Sequence, residues 1–250
     1  WRGDRLQQRV HEHILAASEG AALVDRRGTT TYAELADLVG RAAAGYLAQG
    51  LEPGDRVAVF LDKQRETVAA MLACLLTRCV FVPINPVLKP RQVDHILGDS
   101  GARLLVTSRT RWAGLADTEA APWNLSAIVL VDEPTGEPAQ FQLTWSTLVE
   151  SSPEHGWKAS EVALESDLAA IFYTSGSTGR PKGVVLTNRN LVVGALSVAE
   201  YLGNTQEDVI LAALPLSFDA GFSQLSTGIA AGATIVLHNY LLPRDVPKAC

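Results

Sequence analysis

Tyr173-Thr174-Ser175-Gly176-Ser177-Thr178-Gly179-Arg180-Pro181-Lys182-Gly183 packs hydroxyl side chains, glycines and a lysine into one short stretch. An apolar run, Leu168 to Phe172, leads into it, and a second, Val184 to Leu186, leads out. That arrangement predicts a loop between two strands at the edge of a sheet. Glycine lets backbone N–H groups turn inward and approach an anion closely. Gly176 and Gly179 supply that freedom, Thr174, Ser175, Ser177 and Thr178 add donors, and Lys182 adds a mobile positive charge. Such a set suits the oxygens of a polyphosphate. The plainer alternative is a flexible surface loop, because Ser, Thr and Gly are ordinary loop residues.

Two well-defined phosphate loops fail to match. A Walker loop needs Gly, four residues, then Gly-Lys-Ser/Thr, but Pro181-Lys182-Gly183 stands where that ending belongs. The dinucleotide fingerprint needs Gly-x-Gly-x-x-Gly opening a helix. Here Thr178 takes the second glycine position, and the residues that follow read as a strand.

Working outward, strand and helix signals alternate. Ala21 to Val24 and Thr29 to Tyr32 flank Asp25-Arg26-Arg27-Gly28 and read as a hairpin. Thr31 with Glu34 is a capping-box pattern for a helix that stops at Gly50. Val57 to Leu61, Val80 to Ile84, Leu104 to Thr107 and Ile128 to Val131 read as strands. Glu66 to Thr77 and a segment opened by Pro90 read as helices. Leu6 to Ala17 has apolar residues at helical spacing, with His11 and His13 as surface histidines. After the glycine-rich run come a helix at Asn190 to Tyr201, a strand at Val209 to Leu214, a helix near Gln224 to Ala231 and a strand at Thr234 to Leu237. The alternation predicts an α/β fold of mostly parallel sheets flanked by helices. Polar, turn-rich residues around 132–166 mark a boundary. We expect a first α/β subdomain over 1–150, a linker over 151–166, and a second subdomain from 167 to 250.

The glycine-rich run resembles the signature phosphate loop of the adenylate-forming enzymes, which include acyl-CoA synthetases and nonribosomal peptide synthetase adenylation domains. Other segments are similar in the family's order: Thr31-Tyr32-Ala33-Glu34-Leu35, Phe81-Val82-Pro83-Ile84-Asn85-Pro86, Asp99-Ser100-Gly101-Ala102 and Leu214-Pro215-Leu216-Ser217-Phe218-Asp219. The wording around Leu214 to Gln224 resembles exosortase-associated acyl-CoA ligases, and Asp99 to Leu105 resembles amino-acid adenylation domains. The resemblance implies the amino-terminal part of the adenylate-forming fold. It implies ATP with Mg2+, a small carboxylic acid as substrate, and CoA or the phosphopantetheine of an acyl or peptidyl carrier protein as acceptor. Thr174 and Lys182 are then the catalytic candidates, offsetting charge on departing pyrophosphate, and Thr174, Ser175, Gly176, Ser177, Thr178, Gly179 and Lys182 bind the nucleotide. Phe218, Asp219, Gly221 and Phe222 are the substrate-binding candidates. In amino-acid-activating relatives an aspartate in Phe-Asp-x-Ser pairs with the substrate ammonium, which Asp219 could do. This chain has Gly221 in place of that serine. The alternative for Asp219 is a helix N-cap ahead of Gln224 to Ala231, and Phe218 and Phe222 could line an acyl pocket or fill core. Asn188 stands in a segment where many relatives have histidine. No magnesium ligand is assigned.

The family's later parts carry a glutamate for magnesium, an aspartate for the ribose, a hinge and a mobile domain with a catalytic lysine. None maps onto these residues, and the chain opens Trp1-Arg2-Gly3-Asp4 without an initiator methionine or apolar leader. The expectation is an amino-terminal piece, lacking the carboxy-terminal catalytic domain and inactive alone. A net charge of −6 with scattered basic residues argues against nucleic acid or anionic membrane as main partner. The densest apolar run, Val68 to Leu76, is too short to span a membrane. Cys74, Cys79 and Cys250 lack metal-like spacing and fit a reducing cytoplasm. Two rivals remain, a phosphotransferase using the same loop and a non-catalytic nucleotide-binding or interaction module.

Overall fold

The structure, a computed structural model, describes residues 19–116, 123–132, 141–150, 164–175 and 180–239, with the Ser175 side chain outside that set. The helix expected at Leu6 to Ala17, with His11 and His13, and Cys250 lie outside the described residues.

Two sheets carry the fold. β1 (Ala21–Asp25) and β2 (Gly28–Thr31) form the expected antiparallel hairpin. They join β10 (Val209–Ala212) and β11 (Thr234–Leu237) in the order β10-β11-β1-β2. The larger sheet holds β3 (Arg56–Phe60), β4 (Val80–Pro83), β5 (Leu104–Thr107), β6 (Ala127–Leu130), β7 (Gln142–Thr144), β8 (Leu168–Ser175) and β9 (Pro181–Thr187). Its order is β7-β6-β5-β3-β4-β8-β9. Among the described residues only the two hairpins, β1–β2 and β8–β9, pair antiparallel. Residues before and after 151–166 contribute strands to both sheets.

The helices are α1 (Tyr32–Ala48), α2 (Arg65–Thr77), α3 (Pro90–Ser100), α4 (Arg109–Ala116), α5 (Trp145–Glu150), α6 (Asn188–Leu202) and α7 (Asp219–Ala231). α1 begins as its sequence predicts: Thr31 Oγ1 accepts from the Glu34 N–H at 3.2 Å, and Glu34 Oε2 accepts from the Thr31 N–H at 2.7 Å. α2 is apolar on every side because it packs on every side; Val68 through Leu75 are all buried. The strand alternation then separates two cores. Val57 and Val59 of β3 face the core shared with α2 and the smaller sheet, whereas Ala58 and Phe60 face a second core with Val93, Ile96 and Leu97 of α3. Cys74 and Cys79 are buried free thiols, as small apolar side chains would be.

Three features depart from the expected pattern. α4 and β7 were not signalled by any strong periodicity, and α7 begins at Asp219 rather than near Gln224. Glycine early in a helix argues against helix by propensity, but packing of Gly221 against the preceding loop overrides it.

Candidate active site

The glycine-rich motif is a strand hairpin at the sheet edge. Motif residues continue both strands: Tyr173 pairs with Gly183, Thr174 with Lys182, and Ser175 with Pro181. Gly176, Ser177, Thr178 and Gly179 lie outside the described residues. Directly opposed residues of an antiparallel pair project from the same face. Thr174 and Lys182 are both exposed, so a hydroxyl and an ammonium stand side by side where the strands leave the sheet. Among the described residues no carboxylate pairs with Lys182.

The opposite face anchors this hairpin. Tyr173 points into the second core, and its hydroxyl donates to Asp99 Oδ2 on α3 at 2.6 Å. Burial, reinforced by the Asp99 carboxylate, pushes the phenol well above its usual range. A Cβ on Gly183 would stand 2.7 Å from Ile171 Cγ2 and 3.2 Å from Tyr173 Cζ, so glycine here leaves room for the ring. His95 Nε2 lies 3.0 Å from the Pro181 carbonyl oxygen, and the imidazole must carry its proton there to donate. α3 therefore holds both strands of the hairpin at its tip.

The segment 213–222, expected to face the acid and so termed the acid-side loop and helix, reaches the face that Thr174 shares through Phe222. Two residues before Thr174 on that face, Phe172 packs against Phe222 of α7 with ring centroids 5.8 Å apart. Phe81 completes the trio, 5.1 Å from Phe222 and 6.0 Å from Phe172. Phe222 therefore fills core. Phe218 is the residue preceding α7 and is half-exposed. Asp219 is the first residue of α7, not its cap; it is exposed, and its Oδ1 accepts from the Ala220 N–H at 2.7 Å. A carboxylate in the first helical turn faces the positive end of the helix dipole. Gly221 presses against the loop before it: a Cβ there would sit 1.9 Å from the Pro215 carbonyl oxygen. Asn188 opens α6, where its side chain donates to the Leu164 carbonyl at 3.1 Å. Its place is structural, consistent with a helix start.

Sequence reading missed the groups that hold the acid-side loop. Gln224 straps one side, its Oε1 accepting from the Leu214 N–H and its Nε2 donating to the Leu211 carbonyl, each at 3.1 Å. Lys63, only 8% exposed, holds the other. Its Nζ donates to the carbonyls of Ala212 and Ala213 at 2.7 Å and of Leu214 at 3.2 Å. Burial draws this ammonium down to about 8, against an upward pull from Asp62, so it stays mostly protonated at neutral pH. Ser217 is also buried, and its hydroxyl has no hydrogen-bond partner among the described residues. A lysine in the loop after an apolar strand was the available signal, but nothing local shows where its side chain goes.

The hairpin's Thr174 hydroxyl and Lys182 ammonium can both donate to anionic oxygens. Among the described residues no group of three His, Cys, Asp or Glu side chains could hold a metal.

Comparison with known proteins identifies the family. Feruloyl-CoA synthase of Amycolatopsis sp is 34% identical over 242 residues, 96% of this chain and 44% of that protein. The dimodular nonribosomal peptide synthase of Bacillus subtilis (strain 168) is 30% identical over 233 residues, covering 93% of this chain and 9% of that one. The chain thus spans less than half the length of these curated relatives. ATP-bound MatB from Rhodopseudomonas palustris superposes with a TM-score of 0.79 at 25% identity, covering 98% of this chain and 47% of that chain. The family model described as AMP-binding enzyme matches residues 11–250, and the chain belongs to that family.

Proposed function

We propose that the protein containing these residues activates a carboxylic acid with ATP and passes the acyl group to a thiol. One observation carries the reading. Thr174 and Lys182 stand opposite each other on the hairpin, on the face that Phe172 shares with Phe222 of the acid-side helix. Phosphate-holding donors and acid-side loop therefore belong to one side of the larger sheet. The similarity to a feruloyl-CoA synthase and to a nonribosomal peptide synthase supports the same chemistry.

In the first step a carboxylate oxygen attacks the α-phosphorus of ATP. The bond to the bridging oxygen breaks, pyrophosphate leaves, and an acyl-adenylate forms. In the second step a thiol attacks the acyl carbon and AMP departs. Negative charge grows on the leaving pyrophosphate, and preset donors stabilise such charge more than any other single device. Thr174, Ser175, Ser177, Thr178 and Lys182 are assigned that role, with Gly176 and Gly179 admitting the phosphates. Magnesium enters this scheme with ATP, and CoA or a carrier-protein phosphopantetheine supplies the thiol. The test is pyrophosphate release by the full natural chain against a panel of fatty, aryl and amino acids. AMP with pyrophosphate supports the proposal, whereas ADP would assign the loop to a kinase. Lys182→Ala should lower kcat by about 10²-fold or more, with the fold retained by circular dichroism. Turnover within about three-fold of wild type would remove Lys182 from the chemistry.

A second reading, amino-acid activation, draws on Asp219. Its carboxylate is exposed at the start of α7, and no cationic side chain pairs with it among the described residues. Loss of amino-acid substrates alone in Asp219→Ala would favour it; equal loss for all acids would count against it.

A further inference from the structure

Within the proposed reaction, we infer that Lys63 is the positioning residue that holds the acid-side loop, 213–218, in register with the phosphate hairpin. The inference rests on the assigned acid-activating function, but its geometric part stands alone. The hairpin belongs to the larger sheet, and the acid-side loop follows β10 of the smaller one. Among the described residues no strand ladder joins the two sheets. Lys63 follows β3 of the larger sheet, and its ammonium donates to three successive carbonyls at the end of β10. Its backbone is tied to the smaller sheet as well. The Lys63 N–H donates to Asn239 Oδ1 at 3.0 Å, and Asn239 Nδ2 donates to the Lys63 carbonyl at 2.7 Å. Asn239 lies just past β11. One residue thus fastens together the carboxyl ends of β3, β10 and β11, the ends where open α/β sheets bind ligands.

The chemistry explains why a cation serves there. Successive backbone carbonyls at the end of a strand present partial negative charge where the ladder stops. An ammonium meets three at once with charge-assisted hydrogen bonds. A buried charge is costly unless it is so bonded, so the ammonium and the loop hold each other in place. Attack on the α-phosphorus needs reacting atoms about 3–3.5 Å apart, and a shift of about 1 Å costs on the order of 10²-fold. A loop released from Lys63 would hold the acid loosely while the hairpin still holds the phosphates.

The experiment compares wild type, Lys63→Met, Lys63→Arg and Asn239→Ala in the full natural chain. Pyrophosphate release gives KM for the acid and for ATP separately, and hydrogen exchange follows peptides spanning 211–224 and 168–187. Lys63→Met should lower kcat/KM for the acid about 10²-fold while KM for ATP stays within about three-fold. Lys63→Arg should recover much of that loss, and Asn239→Ala should move the acid constants in the same direction. Exchange should quicken at 211–224 and not at 168–187. A merely structural lysine would instead lower the folded fraction and leave the acid KM of the folded enzyme unchanged, and that result overturns the inference. If Lys63→Met fails to fold, the arginine and Asn239 variants carry the same comparison. If wild type activates no acid, the functional reading has failed, and exchange alone decides the clasp: faster exchange confined to 211–224 supports it, and uniform or unchanged exchange refutes it.

Discussion

Gly221 illustrates how a single position can be set by backbone rather than by a ligand. A Cβ there would stand 1.9 Å from the Pro215 carbonyl oxygen and 2.6 Å from its carbonyl carbon. Backbone cannot swing aside as a side-chain tip can, so any side chain must push the 213–218 loop off α7. A serine at this position therefore does not fit this loop as it stands. Gly221→Ser should cost about 1–3 kcal/mol, the range of an overpacked core site. Chemical denaturation of wild type and variant measures it. A cost below about 0.5 kcal/mol, the range of neutral surface changes, would show that the loop yields freely. Phe222, next along the helix, is explained by packing in the same way, since both Phe81 and Phe172 touch its ring.

Among the elements, the β1–β2 hairpin and α2 are joined by charge. Arg65 at the start of α2 donates through Nη2 to Asp25 Oδ1 at 2.7 Å and through Nε to Asp25 Oδ2 at 3.0 Å. Arg27 likewise pairs with Glu66. Burial by itself would raise the Asp25 carboxyl, but the Arg65 side chain and the backbone N–H groups of Arg27 and Arg65 outweigh it and bring the pKa from 3.8 to about 2. A carboxyl depressed on folding contributes stability that is fully present above its unfolded value and is lost as pH falls through its folded value. Asp25 should therefore add about 2 kcal/mol near pH 5, fading between about pH 4 and pH 2. Urea unfolding of wild type and Asp25→Asn across that range should show the two curves converging as pH falls. A constant gap between them would refute the assignment. The hairpin itself was legible from Asp25-Arg26-Arg27-Gly28, and α1 from Thr31 and Glu34, because turn and cap chemistry is local. β8 and β9 were legible as strands from the apolar runs Leu168 to Phe172 and Val184 to Leu186. Their place beside β4 was not, since pairing across many residues leaves no local mark. Lys63 shows the same limit within the site: its residue type suggests solvent, and only the approach of β10 explains its burial. α4 lacked a clear apolar face, so periodicity passed over it.

At the scale of the molecule, the two sheets converge so that the hairpin and the acid-side helix meet through Phe172 and Phe222. On the proposed reading, that convergence would supply one half of an adenylation site, the half that receives pyrophosphate and places the acid. The other half must neutralise charge at the α-phosphate and orient the ribose, and the described residues offer no metal-holding cluster for the first task. The feruloyl-CoA synthase relative is matched over only 44% of its length, which leaves ample chain in such proteins for those groups. We therefore expect residues 1–250, expressed alone, to give no ATP–pyrophosphate exchange while the full natural chain does. Each catalytic group acting at the α-phosphate is worth on the order of 10²–10³-fold, so losing several together should place exchange below detection. Comparing the two proteins at equal folded concentration, with the acid that the full chain prefers, decides the matter. Exchange by residues 1–250 within about ten-fold of the full chain would mean that the hairpin and the acid-side loop alone contain the groups that drive attack, and that the division of labour argued above is wrong.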